Sequence, residues 1–457
     1  MSSAPTRPSG ARASELEAAV GAVLDNLKTF RVGYWAPVLL GLIMLFDSWD
    51  SIAIAYAMPS MLAEWRLSPL QIGIVISSGY AGQFAGAIVL GALAERFGRM
   101  PIFIVAATVM AVLALACAYA PNYEMMVGIR FVQGVMIGGA LPISVTYINE
   151  LAPTQTRGRY FTMFQVLAMA GYAAASVSST FIIPHWGWRW LFALGAAPIV
   201  LVPLAALTLP ESPRWLARIG RFGDANRALA QLGGGPAIEP PEIQSAASVK
   251  GEPKLNTLVL FGRGLWARTA IVTLLWFLTS FANFGLTTWV PSIYVTVFHI
   301  PVANALKYGA ASSVGFLIIS PFLGLIMDRT GRRPIAMIGT AIATIMMIAL
   351  AFHRPSAEMV LVPMVLLGHV AISATSLILW PYTAETYPTN VRALGLGYAS
   401  SIARGASMLT PLCVGVILST GASIAIVFAT FGVCAFGAFL MWVTLTRETA
   451  RKPLESI

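Results

Sequence analysis

The sequence predicts an all-α membrane protein whose twelve transmembrane helices form two pseudo-symmetric six-helix bundles. Three observations carry that prediction. First, of 457 residues 57% are hydrophobic and only 11% are charged, with mean hydropathy +0.76. A soluble domain carries about 25% charged residues, so this chain cannot cover a globule with water-compatible surface. Second, apolar runs long enough to cross a bilayer as helix recur along the chain. They lie at 34–58, 70–92, 101–120, 124–147, 161–182, 189–209, 269–295, 308–327, 334–352, 358–380, 394–417 and 421–445. Third, two loop motifs each occur twice. Gly91-Ala-Leu-Ala-Glu95-Arg96-Phe-Gly98-Arg99-Met-Pro101 returns as Gly324-Leu-Ile-Met-Asp328-Arg329-Thr-Gly331-Arg332-Arg333-Pro334. Glu150-Leu-Ala-Pro153-Thr-Gln-Thr-Arg157 returns as Glu385-Thr-Tyr-Pro388-Thr-Asn-Val-Arg392, at nearly the same offset along the chain. Parallel repeats of six spans are the architecture of a rocking transporter with its site between the halves.

Taken in order, residues 1–32 are a polar N-terminal segment with a short helical pattern (Leu16, Val20, Val23, Leu24, Leu27), which predicts a surface helix at the cytoplasmic face. Residues 33–209 are the first bundle. Residues 210–268 form a linker with short helices, Gly and Pro clusters (Gly233-Gly234-Gly235-Pro236, Pro240-Pro241) and most of the soluble charge. Residues 269–446 are the second bundle, and 447–457 a short tail. Of the 29 Lys and Arg residues, 23 fall in the termini and in one alternating set of loops. The other set holds Arg66, Arg189, Lys307 and Arg354, and two cations, Arg130 and Arg404, lie inside spans. The positive-inside rule then places both termini and the linker in the cytoplasm. The net charge of +10 is thus a topology signal rather than a nucleic-acid footprint. Cys117, Cys413 and Cys434 all fall within spans, without metal-ligand spacing, and read as small apolar residues. The first 30 residues lack the apolar core and cleavage site of a signal peptide, and no Asn-x-Ser/Thr sequon occurs, which suits a bacterial inner membrane.

Polar residues inside the spans are few, and each asks for a reason. Asp47 and Asp50 lie halfway along the first span. An acid at the bilayer centre costs about 2.5–3.5 kcal/mol on insertion scales. At i and i+3 the two share a helix face, which predicts that they meet one cavity. A carboxyl group that gains and loses a proton inside a moving protein is what proton coupling requires. The alternative is a fixed packing role. Arg404, in the eleventh span, is a buried fork of donors that fits a carboxylate, from a substrate or from one of these acids. His369 is the sole histidine deep in a span, either a titrating switch or a packed ring. Trp49, Gln165, Trp276, Asn283, Trp289, Trp380 and Tyr382 are candidates to line a cavity and, as a set, suit a planar substrate. Pro142, Pro291 and Pro381 mark places where helices bend. No Gly-Lys-Ser/Thr phosphate loop, Ser/His/Asp set or His/Cys metal cluster occurs, so neither an enzyme nor an ATP-driven pump is expected and no metal or cofactor beyond the coupling proton.

These motifs resemble the major facilitator superfamily. The stretch Gly324 to Arg333 meets that superfamily's most specific loop pattern almost fully; the first copy departs at Glu95 and Met100. Arg130-Phe-Val-Gln133-Gly134 with Gly138-Gly139 resembles its fourth-span motif, where the arginine often supports proton coupling. Pro210-Glu211-Ser212-Pro213-Arg214-Trp215-Leu216 resembles the sugar-porter and metabolite-symporter branches. Phe46-Asp47-Ser48-Trp49-Asp50 is similar to the first-span Asp-Gly-x-Asp of the aromatic acid:proton symporters, with Ser48 in place of glycine, and Arg404 matches their span 11 arginine. The resemblance implies that Gly91, Glu95, Arg96, Arg99, Glu150, Arg157, Glu211, Arg214, Asp328, Arg329, Arg332, Arg333, Glu385 and Arg392 form a cytoplasmic gate. Such charge networks hold the inside closed and break as the halves rock. The expected protein is a monomeric secondary transporter of the inner membrane. It takes up a small organic anion, an aromatic acid or related monocarboxylate, with protons carried by Asp47 and Asp50 and Arg130 supporting the coupling. A sugar-like facilitator or exporter is the alternative, weakened by the scarcity of amides in the spans. A transporter-like sensor is a third and would need an output segment.

Overall fold

The structure, a computed structural model, describes residues 20–25, 32–233, 257–262, 264–353, 357–388 and 391–450. The Gly and Pro clusters beyond Gly233, Leu16, Leu27 and Arg354 lie outside the described residues. The first half runs α1 (Trp35–Trp65), α2 (Pro69–Phe97), α3 (Arg99–Ala118), α4 (Tyr123–Leu151), α5 (Arg157–Trp186), α6 (Trp188–Gly195) and α7 (Pro198–Thr208). The linker holds α8 (Pro213–Arg218) and α9 (Phe222–Leu232). The second half is α10 (Trp266–Thr296), α11 (Val302–Thr330), α12 (Arg332–Phe352), α13 (Glu358–Thr386), α14 (Arg392–Ser419) and α15 (Ile424–Thr444). Twelve spans are long and apolar enough to cross a membrane, α6 and α7 together making the sixth. That span breaks at Ala196-Ala197, where Pro198 opens the second piece. An even number of crossings places both described ends on one face, called the termini face below.

Several helices outrun the apolar stretch that the sequence marks: the first run reads as 34–58, and the helix reaches Trp65. The boundaries come from turn chemistry instead. Arg66 ends α1 in the left-handed region (φ 50°), and Ser68 caps α2 in a capping box with Gln71. One other non-glycine residue with positive φ is described, His299 (φ 52°). It precedes α11, at the position that the offset of the first loop motif pairs with Arg66. The repeat therefore extends to the loop backbone on the far face.

Within the first half, α2 and α4 meet backbone to backbone. A Cβ added at Gly82 or Gly86 would overlap the carbonyls of Phe131 and Val135, and one at Gly134 or Gly138 those of Gly79 and Gln83. Small residues allow this approach between membrane helices, where packing rather than hydrophobicity holds helices together.

The buried apolar side chains fall into three clusters, and their membership shows how the halves meet. One cluster draws on both halves, from Trp49 through Tyr80, Phe192 and Trp289 to Phe431. A second belongs to the first half alone, and a third to the second half alone. The shared cluster lies from mid-depth to the far face; the separate ones lie toward the termini face. Contacts across the boundary agree. Gly73 on α2 packs against α14, where an added Cβ would come within 2.6 Å of the Pro411 carbonyl, and Gly415 returns the contact on Pro69 at 2.7 Å. Tyr56 on α1 hydrogen-bonds Ser313 on α11 at 3.2 Å. The molecule is closed on the far face and parted on the termini face.

Candidate functional site

Twelve residues, about 18 Å of helix, separate Asp47 from the termini-face end of α1, and twelve separate Arg404 from that end of α14. Both therefore sit at mid-depth, where the halves part. Arg404 is half-buried; its Nη1 reaches across to the carbonyl of Gln83 on α2 at 3.4 Å, and no carboxylate lies within 4 Å of it among the described residues. A Cβ at the neighbouring Gly405 would meet nothing within 4 Å. The Asp47 carboxyl faces Arg404 and, on α5, Tyr172, which is itself bonded to Ser48. Asp47 Oδ1 has no hydrogen-bond partner.

Asp50 has different company. It is fully buried inside the first half, and its Oδ2 accepts from Gln133 Nε2 at 3.0 Å. Arg130, 2% exposed, does not pair with the carboxylate. Its Nη1 donates to Gln133 Oε1 at 2.7 Å and to the Asp50 main-chain oxygen at 3.2 Å. Gln133 stands between acid and base, its fixed amide polarity turned to satisfy both. Asp50 Oδ1 is unpartnered and presses on Gly195, where a Cβ would come within 2.5 Å. The expectation that the two acids meet one cavity is therefore corrected: Asp47 opens on the boundary between halves, and Asp50 points into the α1–α4–α6 packing. Positions i and i+3 differ by about 60° around a helix, enough to face different neighbours.

The aromatic and amide candidates separate in the same way. Trp49 donates Nε1 to the Leu191 carbonyl at 2.9 Å and is spent on the α1–α6 contact. Trp289 is buried in the shared cluster with its Nε1 unpartnered. Gln165 is half-exposed and makes no side-chain hydrogen bond among the described residues. Between α10 and α13 three rungs form a ladder. Trp276 donates to Thr383 at 2.8 Å and meets Trp380 edge to face at 5.0 Å, Trp380 being 47% exposed. Ser373 donates to Asn283 Oδ1 at 2.7 Å, and Thr287 meets His369 Nε2 at 2.9 Å. Tyr382, expected to line the cavity with Trp380, faces the other way, because a step of two residues turns about 200° around a helix. It meets Trp442 of α15 edge to face instead, at 4.7 Å. Phe284 crosses the boundary to Tyr80 of α2, edge to face at 5.5 Å.

At the termini face the charged motifs build two copies of one assembly. Arg99 Nη1 donates to the Ala94 carbonyl, and Nη2 bridges Glu95 (2.8 Å) and Glu150 (3.2 Å). Arg332 repeats this with the Met327 carbonyl, Asp328 (3.1 Å) and Glu385 (3.0 Å). Each of these pairs lies within one half, so here they staple helices of a half together. Glu211, expected as a gate charge, accepts the Arg99 and Met100 amides at the start of α3. Burial pushes its carboxyl above the ordinary value of 4.5. Gly98 precedes that helix at φ +110°, where a Cβ would overlap the Glu211 carboxylate, so glycine is required there twice over. The second half has an equivalent that sequence reasoning does not find: Glu448 accepts the Arg332 and Arg333 amides, both at 3.0 Å, beside Gly331 at φ +101°. The signal is present in the spacing, since Glu448 follows Glu211 by nearly the interval that separates the paired loop motifs, in a region read as tail. Tyr147 and Tyr382 extend the repeat: Tyr147 donates to the Pro210 carbonyl at 2.6 Å, and Tyr382 bonds the backbone at Arg447. Arg333 donates to the Trp442 and Val443 carbonyls at the end of α15. Arg218 pairs with Glu95 at 2.7 Å, and the Arg214 guanidinium lies against Gly21 of the N-terminal helical turn. Arg157 and Arg392 are half-buried, Arg96 and Arg329 are exposed, and Gly91 has open space around it. Among the described residues no group of three or more His, Cys, Asp or Glu side chains forms a metal site.

Comparison with known proteins agrees with this architecture. The chain is 29% identical to the niacin transporter NiaP of Acinetobacter baylyi over 95% of its own length and 98% of that protein's. It is 29% identical to the gallate transporter of Pseudomonas putida over 91% and 92%. Its fold matches the crystal structure of a D-xylose–proton symporter with a TM-score of 0.71, at 21% identity, over 92% of this chain and 98% of that one. With twelve spans and bacterial relatives of this kind, it is a multi-pass protein of the inner membrane and a transporter rather than an enzyme. Residues 33–457 match the model of the sugar (and other) transporter family, and the chain belongs to that family.

Proposed function

We propose that the protein takes up a small organic anion, an aromatic acid or related monocarboxylate, together with protons, by alternating access, with both termini in the cytoplasm. The observation that carries this reading is Arg404, a half-buried guanidinium at mid-depth on the boundary between halves, held by one long bond to a carbonyl and with no carboxylate within 4 Å among the described residues. A permanently charged donor fork in that setting calls for an anion. The nearby Asp47 is its resting counter-charge. A substrate carboxylate arriving at Arg404 competes with Asp47, and protonation of Asp47 removes that competition. Asp50 is the second proton site, and its hold on Gln133 links it to Arg130, so that its charge state bears on the packing of α1 against α4.

Alternating access follows from the clusters. The far face is one packed body across both halves, and the termini face is two. Rocking must break the Gly73–Pro411 and Tyr56–Ser313 contacts and bring the two charge assemblies together. Relatives named for niacin and gallate transport support the aromatic acid. A sugar substrate is the second reading, favoured by the xylose–proton symporter likeness. It is weakened because the fifth, seventh and tenth spans hold only two amide side chains, Gln165 and Asn283. Purified protein in liposomes, with a pH-sensitive dye inside, tests the proposal. An added aromatic acid should acidify the lumen beyond passive permeation, and Asp50→Asn should abolish that signal. Full acidification in the variant, or substrate movement without protons in the wild type, would refute it.

A further inference from the structure

The sixth span carries a more specific statement, which rests on the reading of Asp50 as a proton site. Its two pieces belong to different bodies. Trp188, Leu191 and Phe192 of α6 are in the cluster shared by both halves, whereas Val202 and Ala205 of α7 are in that of the first half alone. The break between them therefore falls where the shared core ends. Across it the main-chain bonds span three residues instead of four: Ala196 to Ala193 at 3.2 Å, Ala197 to Leu194 at 3.1 Å, Ile199 to Ala196 at 3.0 Å and Val200 to Ala197 at 3.1 Å. In an unbroken helix Ile199 would serve the Gly195 carbonyl, and Pro198 has no N–H to take its place. The carbonyl of the buried Gly195 is thus left without a main-chain donor among the described residues. An orphaned acceptor in a packed interior is costly.

Asp50 supplies the complement. Its carboxyl is buried, with Oδ2 served by Gln133 and Oδ1 unpartnered against Gly195. An ionised Oδ1 can only accept, so at Gly195 one acceptor then lies beside another. A protonated Oδ1 brings one hydrogen, which is what these two orphans lack. Toward the far face α1 is fastened to α6 by Trp49 on the Leu191 carbonyl (2.9 Å) and by Trp188 on Glu64 (2.7 Å), which keeps the carboxyl in register with the break. The titratable groups that face Asp50 are Asp47 on α1, Arg130 on α4 and Cys117 on α3, whose thiol lies 3.7 Å from Gln133 Oε1. The sixth span adds only Arg189, paired with Glu64 at its far-face end. We propose that the Gly195 carbonyl, freed by the break at Pro198, accepts the proton that Asp50 carries on Oδ1, which makes Gly195 a positioning residue for the coupling. Proton binding then ties α1 to the sixth span where the shared core ends, and proton loss releases it.

The test is infrared spectroscopy of the purified protein through a pH titration, reading the C=O stretch of protonated carboxyl groups. The Asp50 band is the one that Asp50→Asn removes. Two variants act on the carbonyl by different chemistry. Gly195→Ala puts a Cβ against Oδ1. Pro198→Ala removes the ring and restores an N–H, so that the helix closes and Ile199 occupies the Gly195 carbonyl. In each variant the Asp50 band should move toward that of an acid without an acceptor. Proton affinity should weaken about tenfold, as the loss of one hydrogen bond provides, so the titration midpoint moves about one pH unit to the acid side. An unshifted midpoint in Pro198→Ala would overturn the proposal even where Gly195→Ala shifts, because that change alone is steric; Asp50 would remain a proton site. If Asp50→Asn removes no band and leaves proton-driven accumulation undiminished, both the proposal and the reading under it fall. If Gly195→Ala does not fold, Pro198→Ala decides by itself.

Discussion

Asp47 and Asp50 are one turn apart on α1, yet one faces a guanidinium across an open boundary and the other an amide inside a packed half. This division suits a symporter, because substrate and proton must be sensed separately and still be linked. Arg404 carries the residue-scale prediction. Its Ala variant should raise KM for the anion about 10- to 100-fold, the value of a charged hydrogen bond of about 1.5–3 kcal/mol. Arg404→Lys should recover only part of this, because a point charge replaces a fork. Initial-rate uptake against substrate concentration measures both. An unchanged KM in the Ala variant would remove Arg404 from the site. The sequence exposed these residues because charge in a span is rare. It named Gln133 only as part of the fourth-span motif; its place between Asp50 and Arg130 emerges from the packing of α1 against α4.

At the scale of elements, Glu211 and Glu448 fasten the chain leaving the sixth and twelfth spans to the starts of α3 and α12. They are equivalent by the repeat and opposite in titration. Burial holds Glu211 above the ordinary 4.5. Burial also pushes Glu448 up, but four donated backbone amides outweigh it and hold the group below 4.5. For a carboxyl held low, the stabilisation is present at neutral pH and is lost as pH falls through the lowered value; for one held high, protonation comes first and the folded state gains relative stability as pH falls. Glu448→Gln should therefore cost about 1 kcal/mol of stability at pH 7, typical of a lost helix-start acceptor, and the cost should shrink below pH 4.5. Melting temperatures of wild type and variant from pH 7 to 4 check this; a cost independent of pH would show that the carboxylate charge plays no part. The loop motifs made the first copy of this assembly legible. The second was missed because Arg447-Glu448-Thr449 shares only its glutamate with Pro210-Glu211-Ser212, and the equivalence is one of backbone amides rather than of side chains.

For the whole molecule, the contrast between a shared far-face core and two separate termini-face cores is the basis of motion. Interfaces that are packed or parted switch between discrete states rather than deforming smoothly. Gly73 lies in close backbone contact across the far-face closure, so Gly73→Trp should keep that face open. The variant should still bind substrate but neither accumulate it nor exchange it across the bilayer. Equilibrium exchange in liposomes is the measurement, and exchange at the wild-type rate would refute the assigned closure.

The sequence by itself determined the number of spans, their division into six and six, the internal repeat and the family. These follow from hydropathy and spacing, which are one-dimensional quantities imposed by a bilayer of fixed thickness. It also marked the rare intramembrane charges, because each is costly wherever the helix rotates. The rotation itself belonged to tertiary structure. Whether Asp47 or Asp50 meets the boundary and whether Trp380 or Tyr382 faces inward depend on how helices pack. Helices apolar on nearly every side leave no periodic stripe from which the inward face can be read.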